Sequence, residues 1–182
     1  MKLMREIPSG KIDLVVTDPP YLANYRDRAG RSVENDRTDG WLGPAFKEIG
    51  RGLKPNSFCV SFYGWHKVDR FMWAWRQAGL KPCGHIVWTK DYASNKGKVA
   101  YRHEAAYLLA KGQPEAREVI DDVLAWKGSI ARTHIIPRKS QSRLLSLSSG
   151  HSLTKAIWCL THSVVPEVPW LPQKLWAAGS PA

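Results

Sequence analysis

An α/β fold, with helices packed on a sheet of largely parallel strands, is what this sequence predicts, and three observations carry the prediction. Short apolar runs rich in β-branched residues recur along the chain, amphipathic stretches of helical period alternate with them, and the first run ends abruptly on Asp18-Pro19-Pro20-Tyr21. Strands buried on both faces read as continuous apolar runs. Strand-helix-strand alternation is the pattern of a parallel-based sheet.

The first strand is expected over residues 14–17 (LVVT), and it cannot continue past Asp18 because proline fixes φ and has no amide hydrogen for a ladder. Its end marks the sheet edge where open α/β proteins bind ligands. Residues 22–41 are polar and rich in Gly, Asp and Arg without a lasting period, which predicts a long loop, and loops that long are usually functional. A helix over 43–53 is stopped by Lys54-Pro55, and a second strand follows over 57–63 (SFCVSFY). Val68, Phe71, Met72 and Trp75 share one face of a helix over 66–78, and Gly79 is placed to end it. A third strand over 84–89, a basic loop and a fourth strand over 105–110 complete the alternation. From about Ile135 the chain turns rich in serine and proline, with Glu167 its one acidic residue, and neither helix nor strand is expected there.

A chain of 182 residues fits one domain, and its net charge of +11 favours a polyanionic partner such as nucleic acid. Cys59, Cys83 and Cys159 have no CxxC spacing, and the six histidines form no pair at helical ligand spacing, so neither a disulfide framework nor a metal site is suggested. The opening residues MKLMREIPSG lack the apolar core of a signal peptide, and no later segment approaches membrane-spanning length. Both facts argue against secretion and membrane insertion, and the unpatterned cysteines fit a reducing cytoplasm.

The tetrad Asp18 to Tyr21 suits one chemistry well. Methyl transfer to an exocyclic amino group of a nucleic-acid base must overcome the delocalisation of the nitrogen lone pair into the ring. Hydrogen-bond acceptors on that amino group do so, and the Asp18 carboxylate and the Pro19 carbonyl are two of them on a turn stiffened by proline. Tyr21 offers a ring face on which a flipped base can stack. The alternative is a proline turn that merely ends a strand, with Asp18 as a cap and Tyr21 as rim packing.

The segments IPSGKIDLVVTDPPYL, VSFYGWHKVDRFMWAW, GHIVWTKDY, YRHEAAYLLAKG and DVLAWK, in that order, resemble the DNA amino-methyltransferases of the β-type motif order (the DNA methylase N-4/N-6 group). The small adenine-specific enzymes of plasmids and prophages are the nearest subgroup, which implies a bacterial, phage or plasmid gene. The resemblance implies a partial Rossmann-like, S-adenosylmethionine-dependent methyltransferase fold, the catalytic half of the sheet, with an irregular C-terminal tail. It implies S-adenosylmethionine as cofactor, double-stranded DNA as partner and adenine as the acceptor. Cytosine, whose enzymes more often carry SPPY, stays open, as does a non-catalytic DNA-binding or partner-binding remnant. Asp18, Pro19, Pro20 and Tyr21 become the catalytic residues. Asp18 is a candidate for the cofactor pocket, and so is an aromatic of residues 61–65 (SFYGW), Phe62 first, for the cofactor or base pocket, with core packing of Phe62 and rim packing of Trp65 the alternative. Arg26, Arg28, Arg31 and Arg37 in the first long loop, and Lys90, Lys96, Lys98, Arg102 and His103 in or beside the second, are candidate phosphate contacts, against a merely solvated basic surface.

The family's HPTEKP string and DPFxGSG cofactor loop are missing from this chain as written. Both are compatible with a shifted reading frame, in which the codons of residues 136–142 can encode PTEKPV and those of 155–169 can encode GDLVLDPFCGSGST. Residues 1–134 are therefore expected to be an incomplete catalytic region, lacking also the family's first cofactor motif, and 135–182 an out-of-frame, disordered tail. Such a fragment is expected to be inactive and to leave a sheet edge uncovered.

Overall fold

The computed structural model describes residues 2–24, 36–93, 98–125 and 156–160. In chain order they form α1 (Lys2–Glu6), β1 (Ile12–Asp18), α2 (Leu42–Gly52), β2 (Leu53–Phe62), a single 3₁₀ turn (Trp65–Lys67), α3 (Val68–Gln77), β3 (Leu80–Thr89), β4 (His103–Lys111), β5 (Val123–Ala125) and β6 (Ala156–Leu160). The strands make one sheet in the order β5-β3-β4-β2-β1-β6.

β1 runs parallel to both β2 and β6, and β3 parallel to β5, whereas β4 lies antiparallel between β2 and β3. The connections explain the directions. α2 is the crossover between the parallel neighbours β1 and β2, and α3 returns the chain so that β3 runs in the direction of β2, while the described residues between β3 and β4 hold no helix, and such a link returns the chain antiparallel. The carboxyl ends of β1, β2 and β3 and the amino end of β4 therefore share one edge.

Alternate side chains of the strands enter two cores. Val15, Cys59, Leu80 and Leu109 meet Leu42, Phe46 and Ile49 of α2 and Phe71, Ala74 and Trp75 of α3 on one face. Leu14, Val16, Phe58, Val60, Phe62, Ile86, Trp88 and Ala106 fill the other. Leu14, Val15 and Val16 are each at most 3 % exposed, which is why the first strand reads as an unbroken apolar run.

Two elements depart from expectation. β2 begins at Leu53 and takes in Lys54-Pro55, because the ladder slips between the pairs Ile12↔Leu53 and Leu14↔Phe58 and so tolerates a proline, with Asn56 at φ 53° in the slip. β6 falls inside the segment expected to lack strands and pairs with β1 from Leu14↔Ala156 to Asp18↔Leu160. The sheet edge at β1 is thus covered, against the expectation that the chain leaves a sheet edge uncovered. No described helix is long and apolar enough to cross a membrane.

Candidate active site

β1 carries Asp18 to the shared edge, and Pro19 and Pro20, both buried, take the chain off the sheet at once. The turn beyond them holds Leu22 at φ 60° and Asn24 at φ 51°, a left-handed conformation that a bulky residue keeps only under constraint. The constraints come from two sides. Gly64, just past β2, is pressed against the turn so closely that a Cβ there would collide with the Tyr21 carbonyl oxygen, and His66 Nε2 lies 3.3 Å from the Leu22 carbonyl oxygen. From the far end of the long loop, the buried Asp36 accepts the Ala23 amide at 3.0 Å through Oδ1 and the Asn24 amide at 3.2 Å through its carbonyl. Arg37 Nε donates to Asn24 Oδ1 at 3.1 Å.

The Asp18 carboxyl is desolvated although part of the residue's surface stays exposed. Burial pushes its pKa from 3.8 up to about 7, a hydrogen bond donated by the Tyr21 hydroxyl works in the opposite direction, and the Glu104 carboxylate adds to the rise. Burial first, then the charges of Asp18 and Glu104 and the bond to Asp18, hold the Tyr21 phenol well above its ordinary value. Glu104 stands in β4 opposite Trp88 of β3, and its Oε1 is 2.6 Å from Lys90 Nζ. The Lys90 side chain is 2 % exposed and that of Glu104 34 %. One acid near neutrality, one tyrosine and one ion pair thus converge on a single edge. Perturbed groups of this kind, gathered at a strand end, make this edge the candidate site. Among the described residues no group of three or more His, Cys, Asp or Glu is placed to hold a metal ion.

Other residues singled out in the sequence take different places. Phe62 is 6 % exposed and packs its ring 5.0 Å from that of Trp88, deep in the core beneath the edge. Lys90 is turned inward to Glu104, with its ammonium also 5.2 Å from the centre of the Tyr92 ring, instead of facing solvent. Arg102 and His103 are exposed beside it, Arg102 donating to the Asp91 carbonyl at 3.2 Å. Lys98 is exposed, and Arg37 lies against Asn24. Arg26, Arg28, Arg31 and Lys96 lie outside the described residues. Glu104, Asp36 and His66 were not anticipated as parts of the site. An acid opening an apolar strand, in HEAAYLLA, is the signal that Glu104 offered.

The family model described as DNA methylase matches residues 12–165. A protein of Escherichia coli (strain K12) named as a methylase, YubD, is 50 % identical over 135 residues, which cover 74 % of this chain and 60 % of that protein. The type II methyltransferase M.BglII of Bacillus subtilis is 29 % identical over 134 residues, covering 68 % of this chain and 36 % of its own length. The chain therefore spans less than two thirds of the length of the curated relatives it matches. Among solved structures, the S-adenosyl-L-methionine complex of TTHA0409, a DNA modification methylase by name, from Thermus thermophilus, aligns with a TM-score of 0.55 at 16 % identity, over 81 % of this chain and 71 % of its own. M1.HpyAVI in complex with SAM aligns with a TM-score of 0.54 at 13 % identity, over 82 % and 74 %. These two likenesses bear on the fold, while the match over most of the sequence decides kinship: the chain belongs to the N6/N4 DNA methylase family.

Proposed function

We propose that Asp18 to Tyr21 is the acceptor half of an enzyme that moves a methyl group from S-adenosylmethionine to the exocyclic amino group of adenine in double-stranded DNA. The observation that carries the reading is the desolvated Asp18 carboxyl, with a pKa of about 7, held by Tyr21 on a turn clamped from two sides. S-adenosylmethionine supplies an electrophilic methyl group. The chain's own residues prepare the nucleophile. In the free protein the Tyr21 hydroxyl occupies Asp18; an amino group taking that place gives one N–H to the carboxylate and the other to the Pro19 carbonyl, and its lone pair is drawn out of conjugation with the ring. The nitrogen sheds a proton as its new bond forms, and a carboxylate with a pKa near neutrality suits that role. The Tyr21 ring is the proposed stacking face for that base. Asp18 in DPPY, as the resemblance implies, favours adenine over cytosine.

The donor half does not fit as well. After β6 the sequence runs THSVVPEVPWLPQ, with no glycine before Gly179, so it offers no turn at which backbone can approach the donor's carboxylate. We therefore read residues 1–134 as an incomplete catalytic region and 135–182 as translated out of frame. β6 agrees with this reading: Ala156–Leu160 is the stretch whose codons, shifted, can encode DLVLD ahead of PFCGSG, and its backbone already lies beside β1. The exposed Arg102 and His103, with Arg26 and Arg28, are the proposed phosphate contacts, and Lys90 serves instead as the counter-charge of Glu104. The missing glycine turn favours one second reading, a DNA-binding remnant without catalysis.

Calorimetry with S-adenosylmethionine separates the two, since an enzyme binds the donor and a remnant does not. Nucleoside analysis of DNA exposed to the chain and donor tests the acceptor: N6-methyladenine supports the reading, and N4-methylcytosine alone would replace adenine by cytosine.

A further inference from the structure

Trp65 is 63 % exposed. It is not loose. Its ring lies 5.7 Å from that of Tyr101 with 31° between the planes, and 5.8 Å from the His66 imidazole, whose Nε2 approaches the Leu22 carbonyl of the catalytic turn. Trp65 follows Gly64, which touches Tyr21, and Tyr101 precedes the start of β4. The carboxyl end of β2 and the amino end of β4 are neighbours, so both rings stand at the edge that holds Asp18, on its β2–β4 side and away from β6. Exposed cations flank them in the chain: Lys67 beside Trp65, and Lys98 and Arg102 around Tyr101. An aromatic pair bordered by positive charge, in a chain of net charge +11, matches the surface that stacks unpaired nucleic-acid bases while its cations meet the phosphates.

We propose that Trp65 and Tyr101 form a stacking platform for an unpaired DNA base adjacent to the one received by Asp18 and Tyr21. The inference rests on the DNA-methylase reading and adds a second base site to it. A flipped base leaves neighbours that have lost a stacking partner, and an indole anchored through Gly64 and His66 to the catalytic turn meets them at a fixed distance from the acceptor. Stacking accepts any base, so this platform contributes affinity without choosing a sequence.

The test is fluorescence anisotropy of a labelled single-stranded oligodeoxynucleotide with the full chain, titrated at several salt concentrations. Trp65→Ala and Tyr101→Ala are each expected to weaken binding by about 5- to 100-fold with the salt slope unchanged. Trp65→Phe should keep most of the affinity, and Trp73→Ala, which removes an exposed indole from α3, should leave it intact. Equal binding by Trp65→Ala and the parent overturns the platform while leaving the DNA reading in place. A loss that Trp65→Phe shares in full, or that flattens the salt slope, also overturns it, since it would report a disturbed fold or a lost cation. A parent chain that binds no oligonucleotide at all removes the DNA reading and this inference together.

Discussion

Lys90 Nζ and Glu104 Oε1 are 2.6 Å apart at the edge that carries Asp18, and the two partners are unequally buried, 2 % exposed for the lysine side chain and 34 % for the glutamate. The pair is asymmetric in what its loss would do. A buried ammonium stripped of this carboxylate cannot rehydrate, whereas the glutamate, reaching solvent, partly can.

Glu104→Gln should therefore lower the stability to urea by about 3 kcal/mol and Lys90→Met by about 1 kcal/mol. The double variant should be more stable than Glu104→Gln alone. A larger loss for Lys90→Met than for Glu104→Gln would show that the lysine is not the trapped partner.

The Asp18 carboxyl titrates near 7 in the fold and near 3.8 when unfolded. Between those values the folded chain holds the proton more tightly, so the unfolded state binds fewer protons and stability falls as pH rises. The slope attributable to one such group is at most about 1.4 kcal/mol per pH unit. Asp18→Asn should flatten the stability profile between about pH 4 and 7 relative to the parent, and an unchanged profile in urea melts across that range would place the carboxyl in water. The acceptor form of Asp18 is the ionised one, so base capture should strengthen as pH rises through 7.

Gly64 has φ −80° and ψ 113°, a conformation open to any residue, so the cost of replacing it is steric. Gly64→Ala drives a methyl group into the Tyr21 carbonyl, which is backbone and cannot swing aside. A destabilisation of about 1–3 kcal/mol is expected. Gly84→Ala, whose Cβ meets the Leu108 Cβ at 3.3 Å, should cost less. Equal melting temperatures for the Gly64→Ala variant and the parent would mean that the turn is not clamped by Gly64.

The strands that hold Asp18 were legible because Leu14, Val15 and Val16 face two cores at once and so leave no polar position in the run. The proline pair marked the site edge for a backbone reason, the loss of ladder donors, that needs no tertiary context. α3 ended at Gly79 as expected because that residue sits at φ 74°, which glycine alone takes cheaply. What remained hidden was set by packing between distant segments. Lys90 reads as one of several loop cations until β4 brings Glu104 opposite Trp88 and draws the ammonium inward. Phe62 shares a segment with Trp65, but Phe62 is the last residue of β2 and lies in the core, while Trp65 opens the 3₁₀ turn beyond the strand and is exposed. β6 is a short apolar run, AIWCL, hidden among serine- and proline-rich neighbours without a lasting period, and β1 supplies the edge on which it pairs.

Methyl transfer from labelled S-adenosylmethionine to duplex DNA, by the protein translated with the other frame restored near codon 135, tests the central claim most directly. The restored protein should methylate adenine, and Asp18→Asn should lower the rate by about 100-fold or more. A restored protein without transfer, or an Asp18→Asn variant as fast as its parent, would contradict the assignment of Asp18 to Tyr21 as the acceptor site.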